Sequence, residues 1–223
     1  MLLKLFVQAV LKFTLGALLT ALLVFLPAGT LAFPNGWLLM GVLFIPMFCA
    51  GIVMLIKSPA LLQKRLNAKE QLGEQRTVVK LSGLMFISGF VLAGLDFRFR
   101  ISRLPAAVSI AAAVVLLLAY LLYAEVMREN AYLSRTIEVQ ADQKVIDTGL
   151  YGIVRHPMYS ATLLLFLAIP LVLGSLPAFV VFLAYPLIII KRIRSEEALL
   201  AKELKGYDAY MQKVQYRLIP FVW

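Results

Sequence analysis

The sequence of 223 residues contains one cysteine, one histidine and 12 acidic residues, and charged residues make up only 15% of it. The lone Cys49 excludes an internal disulfide, and because it lies in an apolar run we expect a small buried hydrophobe. With His156 as the only histidine, no Cys/His grouping has zinc-ligand spacing, so we predict no metal site. A soluble domain has about a quarter charged residues. The composition therefore excludes an ordinary soluble fold and a disordered chain.

What is abundant is apolar sequence, with 62% hydrophobic residues and a mean hydropathy of +0.89. A membrane-spanning helix needs about 20 apolar residues; four runs reach about that length, and the last two, separated by Ser175, are shorter. We predict an all-α, polytopic transmembrane helix bundle of five to six membrane helices, with the last two as a tilted hairpin. The runs are Phe13–Phe33, Trp37–Ile56, Val78–Phe97, Leu104–Met127, Met158–Gly174 and Leu176–Ile190.

The net charge of +10 is distributed between the apolar runs rather than along one basic face, so we expect membrane lipids and not nucleic acid as its partner. With the N-terminus inside, all but three of the 22 basic residues fall on the cytoplasmic side. This bias predicts a multi-pass protein with both termini in the cytoplasm. The first apolar run is too long for a signal peptide, so we expect a retained helix. Arg98, Arg100 and Arg103 are the exceptions, and they count against this orientation because they lie in a short loop where the rule should apply.

Three hydrophilic stretches fall on the same predicted face: Ser58–Thr77, which is typical of an amphipathic surface helix, Arg128–His156 and Lys191–Trp223. The second leads into Arg155-His156-Pro157 at the mouth of an apolar run. A proline in the first helical turn leaves free backbone N–H groups that attract an anionic or electron-rich ligand. The same residue types also suit an interfacial belt, and on these residues alone the belt is the better explanation.

A further motif follows the last apolar run. Arg192 and Glu196 are four residues apart, and Arg194 and Glu197 are three apart, so two ion pairs can lie along a helix. Glu197, however, shares a helical stripe with apolar neighbours, where a carboxylate needs a partner or a ligand. Upstream, the polar stretch Thr136–Ile146 either binds a ligand or faces water.

Several motifs in this order resemble the isoprenylcysteine carboxyl methyltransferase family and its phospholipid methyltransferase relatives, from about Ala131 to Trp223. The soluble methyltransferases' Gly-rich loop is absent. One departure is Ser160, where many relatives have glycine. In order, the motifs are the Gln-containing stretch 136–146, Thr-Gly-x-Tyr at 148–151, x-Arg-His-Pro-x-Tyr at 154–159, an apolar hairpin, Arg-x-x-x-Glu-Glu at 192–197 and Gly-Tyr-x-x-Tyr at 206–210.

This resemblance implies a prokaryotic-type, inner-membrane methyltransferase that uses S-adenosylmethionine at the cytoplasmic face. It divides the chain into N-terminal membrane helices with a cytoplasmic connecting segment (1–103) and a methyltransferase core with the C-terminal helix (104–223). Arg192 would orient a substrate carboxylate and Glu197 is the second candidate catalytic residue; whether Glu196 or Glu197 contacts the cofactor stays open. The implied cofactor-binding residues are Gln140, Gln143, Lys144, Val145, Ile146, Tyr151, His156, Pro157, Met158, Tyr159 and Glu196.

The leading hypothesis is thus O-methylation of a carboxylate on a prenylcysteine-like, isoprenoid or other lipophilic substrate that arrives from the bilayer. An ionised carboxylate needs orientation but no general base. The enzymatic alternative is N-methylation of a phospholipid amine, which requires a proton acceptor such as Glu197 or His156. A small transporter or scaffold is the non-enzyme alternative. It predicts ionisable residues near the middle of the spans, where this sequence has few.

Overall fold

The computed structural model describes residues 2–66, 73–130, 132–133, 139–140 and 142–223. Within these ranges the secondary structure is helical and contains no strand, which confirms the all-α prediction. A 3₁₀ turn covers Gly149–Gly152. The helices are α1 (Leu2–Ala28), α2 (Pro34–Lys57), α3 (Pro59–Leu66), α4 (Gly73–Phe99), α5 (Ala106–Glu129), α6 (Pro157–Val172), α7 (Leu176–Phe182), α8 (Tyr185–Glu203) and α9 (Tyr207–Lys213).

In these ranges, five helical segments are long and apolar enough to cross a membrane: α1, α2, α4 from Arg76 onward, α5 and the segment Leu176–Glu203. The polytopic bundle is thereby confirmed. Helix α6 is also apolar but has only 16 residues. The last apolar run does not form one continuous helix. It is divided between α7 and α8, because Pro186 in the first turn of α8 begins a new helix. Helix α8 then continues past Ile190 into polar sequence.

Small residues set the close packing of α5 against α6. Ala112, Ala119 and Leu116 of α5 are buried on one stripe, and Ala161 of α6 is fully buried. Small side chains let helix backbones approach closely where lipid provides no hydrophobic driving force. The other side of α5 exposes large apolar side chains, such as Leu121 at 68% exposure, which suits contact with lipid. The buried core draws residues from both sides of the predicted boundary at 103/104, and that boundary stays a prediction.

The bundle has two polar ends. At one end, the C-terminus of α5, the N-terminus of α6, the second half of α8 and the tail after α9 converge. At the other end lie the C-termini of α1 and α4 and the N-termini of α2 and α5. Helix α5 has 24 residues, so at 1.5 Å per residue the ends are about 36 Å apart.

Two expectations need correction. The predicted surface helix Ser58–Thr77 is represented by α3 over Pro59–Leu66 only; residues 67–72 lie outside the described chain, and from Gly73 onward the sequence belongs to α4. Cys49 is exposed rather than buried. It lies on the outward face of α2, where the neighbouring Phe48 and Ile52 are also exposed, so its apolar surroundings are those of the bundle's outer surface.

A glycine in α4 tests the packing of α1 on α4. A Cβ at Gly94 would overlap the carbonyl oxygen of Val24 and lie 3.0 Å from the Ala28 nitrogen, and backbone atoms cannot move aside as a side chain can. We expect Gly94→Ala to destabilise the protein by about 1 to 3 kcal/mol, measured as a lower Tm in detergent. Gly83→Ala in the same helix is the control, because nothing lies within 4 Å of its added Cβ. Equal Tm values for the two variants would contradict this packing.

Candidate active site

A polar cleft opens where α5, α6, α8 and α9 meet. Its volume is about 820 Å³, including the part open to solvent. The lining residues come from the end of α5, the segment before the 3₁₀ turn, the mouth of α6, the polar half of α8, and α9. They are Asn130, Tyr132, Leu133, Gln143, Lys144, Val145, Ile146, Tyr151, Arg155, His156, Met158, Tyr159, Arg192, Glu196, Leu200, Leu204, Tyr207 and Tyr210.

Local sequence sets the turn that leads into the cleft. Gly149 has a φ of +56°, and a Cβ there would collide with the Glu129 carboxylate at the end of α5. That carboxylate accepts a hydrogen bond from the Leu150 N–H at 2.9 Å, so the 3₁₀ turn is attached to α5. His156 is the N-cap residue of α6 and Pro157 occupies the first turn. Proline suits this position because an N–H in the first turn would have no partner within the helix, and proline has none.

One buried carboxylate links three parts of the chain. Glu197 of α8, 6% exposed, accepts hydrogen bonds at 2.7 Å from Arg155 Nε and from Arg217 Nε, one on each of its oxygens. His156 Nε2 lies 3.3 Å from the oxygen that Arg155 contacts. Two guanidinium groups thus compensate a charge that would be costly to bury alone. Glu197 points into this network and does not line the cleft. Its partners are Arg155, Arg217 and His156 rather than Arg194 on its own helix.

The C-terminal tail is held against the mouth of α6. The Arg155 N–H donates to the Tyr216 carbonyl and the His156 N–H to the Arg217 carbonyl, each at 2.9 Å. Arg155 Nη1 also donates to the Val214 carbonyl at 2.9 Å. Ser160 Oγ donates to the Leu218 carbonyl at 2.6 Å. The serine that departs from the family pattern therefore contributes a hydrogen bond that a glycine could not make.

A second polar cluster does line the cleft. The Tyr159 hydroxyl donates to Glu196 Oε2 at 2.5 Å and accepts from Arg192 Nε at 2.9 Å. The rings of His156 and Tyr159 are stacked with their centroids 5.6 Å apart. Tyr159 is only 4% exposed, and its hydroxyl is held between the Glu196 carboxylate and the Arg192 guanidinium of α8. The cluster presents a guanidinium, a phenol and a carboxylate to one space.

Tyrosines form the opposite wall. The Tyr151 hydroxyl accepts from Asn130 Nδ2 at 3.0 Å, and its carbonyl accepts from the Tyr210 hydroxyl at 2.7 Å. The Tyr207 hydroxyl is buried and has no partner among the described residues. Burial raises the pKa of the Tyr151, Tyr207 and Tyr210 hydroxyls. All three hydroxyls therefore stay protonated at physiological pH and keep a hydrogen that they can donate.

The glutamines differ in position. Gln143 lines the cleft, whereas Gln140 does not. The Gln140 side chain accepts from Lys64 Nζ of α3 at 2.5 Å and donates to the Tyr132 carbonyl at 2.6 Å. It thereby attaches the loop to α3. Of the polar stretch Thr136–Ile146, residues 136–138 and 141 lie outside the described chain.

The predicted site residues largely converge. The cleft is lined by all of them except Gln140, Pro157 and Glu197, and their roles stay predictions. Sequence reasoning did not include Arg155, Tyr207 or Tyr210 among the site residues. Both tyrosines belong to the Gly-Tyr-x-x-Tyr motif, so this motif could have identified them as site residues. Within the described ranges, no group of three or more His, Cys, Asp or Glu side chains is arranged to hold a metal ion.

The fold and the cleft define a polytopic helical membrane protein with a polar site at one end of the bundle. The model of the isoprenylcysteine carboxyl methyltransferase (ICMT) family matches residues 104–202, which confirms the resemblance and supports a membrane methyltransferase. Delta(14)-sterol reductase TM7SF2 of Mus musculus is 33% identical over 91 residues, which cover 40% of this chain and 22% of that protein. The match with this relative is therefore confined to a minor part of its length.

The buried network gives a stability prediction. Removal of the Glu197 carboxylate leaves Arg155 without its acid in a buried site, so we expect Glu197→Ala to destabilise the protein by about 3 to 5 kcal/mol, measured as a lower Tm in detergent. Asp147→Asn is the control, because the ion pair of Asp147 with Lys213 is solvent-accessible on both sides and surface pairs contribute little. A Glu197 variant as stable as the control would contradict a role in the fold.

Proposed function

We propose that this protein is an S-adenosylmethionine-dependent membrane methyltransferase that O-methylates the carboxylate of a lipophilic, prenylcysteine-like substrate. The observation that carries the proposal is the line of polar groups from Arg192 through Tyr159 to Glu196, in a cleft that opens at the ends of apolar helices. In this line, Arg192 is a cation that can bind a substrate carboxylate, and Glu196 is an acid that can bind a cationic cofactor. The family match over residues 104–202 supports the reaction class.

The residues present in the cleft fit this cofactor. S-adenosylmethionine has an ammonium and a sulfonium cation, an adenine ring and ribose hydroxyls, and when bound it supplies an activated methyl group. Glu196 would hold the ammonium, and the aromatic rings would contact the sulfonium and the adenine. The Tyr207 hydroxyl, buried in the cleft wall without a partner among the described residues, would donate to an acceptor on the cofactor. A buried donor without an acceptor is unfavourable, which favours a polar ligand there.

Arg192 would orient the substrate. Its Nε donates to the Tyr159 hydroxyl, so the plane of the guanidinium is restrained. A guanidinium binds a carboxylate through two parallel hydrogen bonds. Because α8 carries Arg192 only a few residues beyond the lipid-exposed Leu187, 71% exposed, a substrate whose chain stays in the bilayer can bring its polar end to this position. The apolar helices thus determine the class of substrate.

The amine alternative is less well supported by the site. A protonated amine must lose a proton before it can attack, and the two candidate acceptors, His156 and Glu197, lie 3.3 Å apart in one buried network. Glu197 is engaged by Arg155 and Arg217, which lowers its basicity as an acceptor. A carboxylate substrate needs no such group. The geometry therefore favours a carboxylate as the methyl acceptor.

Cofactor binding tests the proposal directly. Purified protein in detergent is expected to bind S-adenosylmethionine in calorimetry, and Glu196→Gln to weaken binding by about tenfold or more, because the contact with the ammonium loses its negative charge. Glu203→Gln is the control, since Glu203 is exposed on the same helix and does not line the cleft.

The contrary result is binding of a reduced nicotinamide cofactor without binding of S-adenosylmethionine by well-folded protein. That outcome would replace the methyltransferase with a reductase, the activity named in the mouse relative.

Methyl transfer tests the role of Arg192. With labelled cofactor and a prenylcysteine, Arg192→Ala and Arg192→Lys are both expected to lower kcat by about a hundredfold, because substrate orientation is lost, while cofactor affinity changes little. Arg194→Ala, at an exposed position two residues away, is the control. Mild alkali should release the label as methanol, because esters hydrolyse and N-methyl amines do not. Alkali-stable label in a phospholipid would contradict the carboxylate assignment.

A further inference from the structure

A second polar cavity lies at the opposite end of the bundle from the cleft. Its volume is about 1240 Å³, including space open to solvent. It is formed by the ends of α1 and α4, the beginnings of α2 and α5, and the turn after α6. The polar residues that line it are Thr30, Asn35, Asp96, Arg98, Arg100, Ser102 and Arg103. The proposed methyl transfer uses none of them.

Three arginines contribute cations to this cavity. Arg98, Arg100 and Arg103 are exposed, and none of the three forms an ion pair with a carboxylate in the part of the chain that the structure describes. The Arg98 guanidinium lies 5.7 Å from the centroid of the Phe99 ring and close to Gly29 at the end of α1. Exposed guanidinium groups of this kind bind phosphate through paired hydrogen bonds.

A buried acid supplies the second observation. Asp96, 2% exposed, accepts a hydrogen bond from the Ser102 N–H at 2.6 Å through Oδ1. Its other oxygen, Oδ2, is buried and has no partner among the described residues. The Ser102 hydroxyl in turn accepts from the Leu176 N–H at 3.1 Å, so the loop after α4 is fixed against α7. Asp96 thus holds the arginine-bearing loop and retains one acceptor for a hydroxyl donor.

Exposed apolar side chains flank Arg100 in the sequence. Phe99 and Ile101, which alternate with the arginines, are 66% and 64% exposed. A free anion would not cover exposed apolar side chains, whereas the glycerol and acyl region of a lipid would pack against them. The position at the end of the membrane-spanning helices is also the depth of the headgroups.

We propose that this cavity binds an anionic glycerophospholipid, with its phosphate among Arg98, Arg100 and Arg103 and a headgroup hydroxyl donating to Asp96. The site is separate from the cleft and does not depend on the proposed methyl transfer. It explains why three arginines are located on the face from which the bias of basic residues otherwise excludes them. Phosphatidylglycerol has the required phosphate and hydroxyl groups.

Native mass spectrometry of the full chain in detergent tests this site. Wild-type protein is expected to retain phosphatidylglycerol, and the triple variant R98Q/R100Q/R103Q to retain it about tenfold less, because each surface cation attracts an anionic headgroup. The matched control is K4Q/K202Q/K205Q, which removes the same charge from exposed lysines outside the cavity. Equal retention by the triple variant and the wild type would overturn the proposal.

A second lipid and inorganic phosphate separate the contribution of the headgroup hydroxyl from that of the phosphate. Phosphatidylmethanol has the same charge as phosphatidylglycerol but lacks the hydroxyls, so wild type should prefer phosphatidylglycerol by about tenfold or more, the effect of one hydrogen bond to a charged acceptor. Asp96→Asn keeps an oxygen for the Ser102 N–H and should abolish this preference. Equal binding of both lipids by wild type would overturn the role of Asp96. Displacement of the lipid by inorganic phosphate alone would assign the arginines to a free anion and overturn the lipid.

Discussion

The burial of one charge, on Glu197, organises the polar end of this protein. A carboxylate that is 6% exposed at the end of a membrane helix needs partners that the same helix turn does not provide. Arg155 comes from the mouth of α6 and Arg217 from the C-terminal tail. Because both must approach Glu197, the tail is drawn across α6, and the backbone of residues 155–156 pairs with that of 216–217. The contacts of Arg155 and Arg217 with Glu197 therefore also determine the shape of the cleft beside this junction.

Helical geometry assigns adjacent acids to different tasks. Successive residues on a helix point about 100° apart, so when Glu197 faces the buried network, Glu196 faces the cleft, where the Tyr159 hydroxyl donates to it. The apolar stripe on α8 indicated that Glu197 is buried, and the family pattern associated Glu196 with the cofactor. Burial and a cofactor contact exclude each other only if a single acid must satisfy both. In the structure each describes a different side chain, although the contact of Glu196 with a cofactor stays a prediction.

The membrane helices were predictable because the energetic cost of an apolar run in water is a local property of the sequence. The break before α8 was less accessible, since Pro186 lies within a run that is apolar throughout. The site depends on contacts between residues distant in sequence: Arg155 and Glu197 are separated by 42 positions, and no periodicity connects them. Motif order brought most of the cleft residues together. It did not indicate that Arg217 completes the network, because no motif contains that residue.

The two ends of the bundle satisfy charge in different ways. At the cleft end, the buried acid has two guanidinium partners from the chain itself, so its charge is compensated before any ligand arrives. At the other end, about 36 Å away along α5, the acid Asp96 is used to hold a loop through Ser102, and it is not paired with the arginines among the described contacts. Cations on a headgroup-level surface attract anions from the surroundings. Since none of the three arginines is ion-paired in the described part of the chain, the phosphate of the proposed lipid would be their counter-charge.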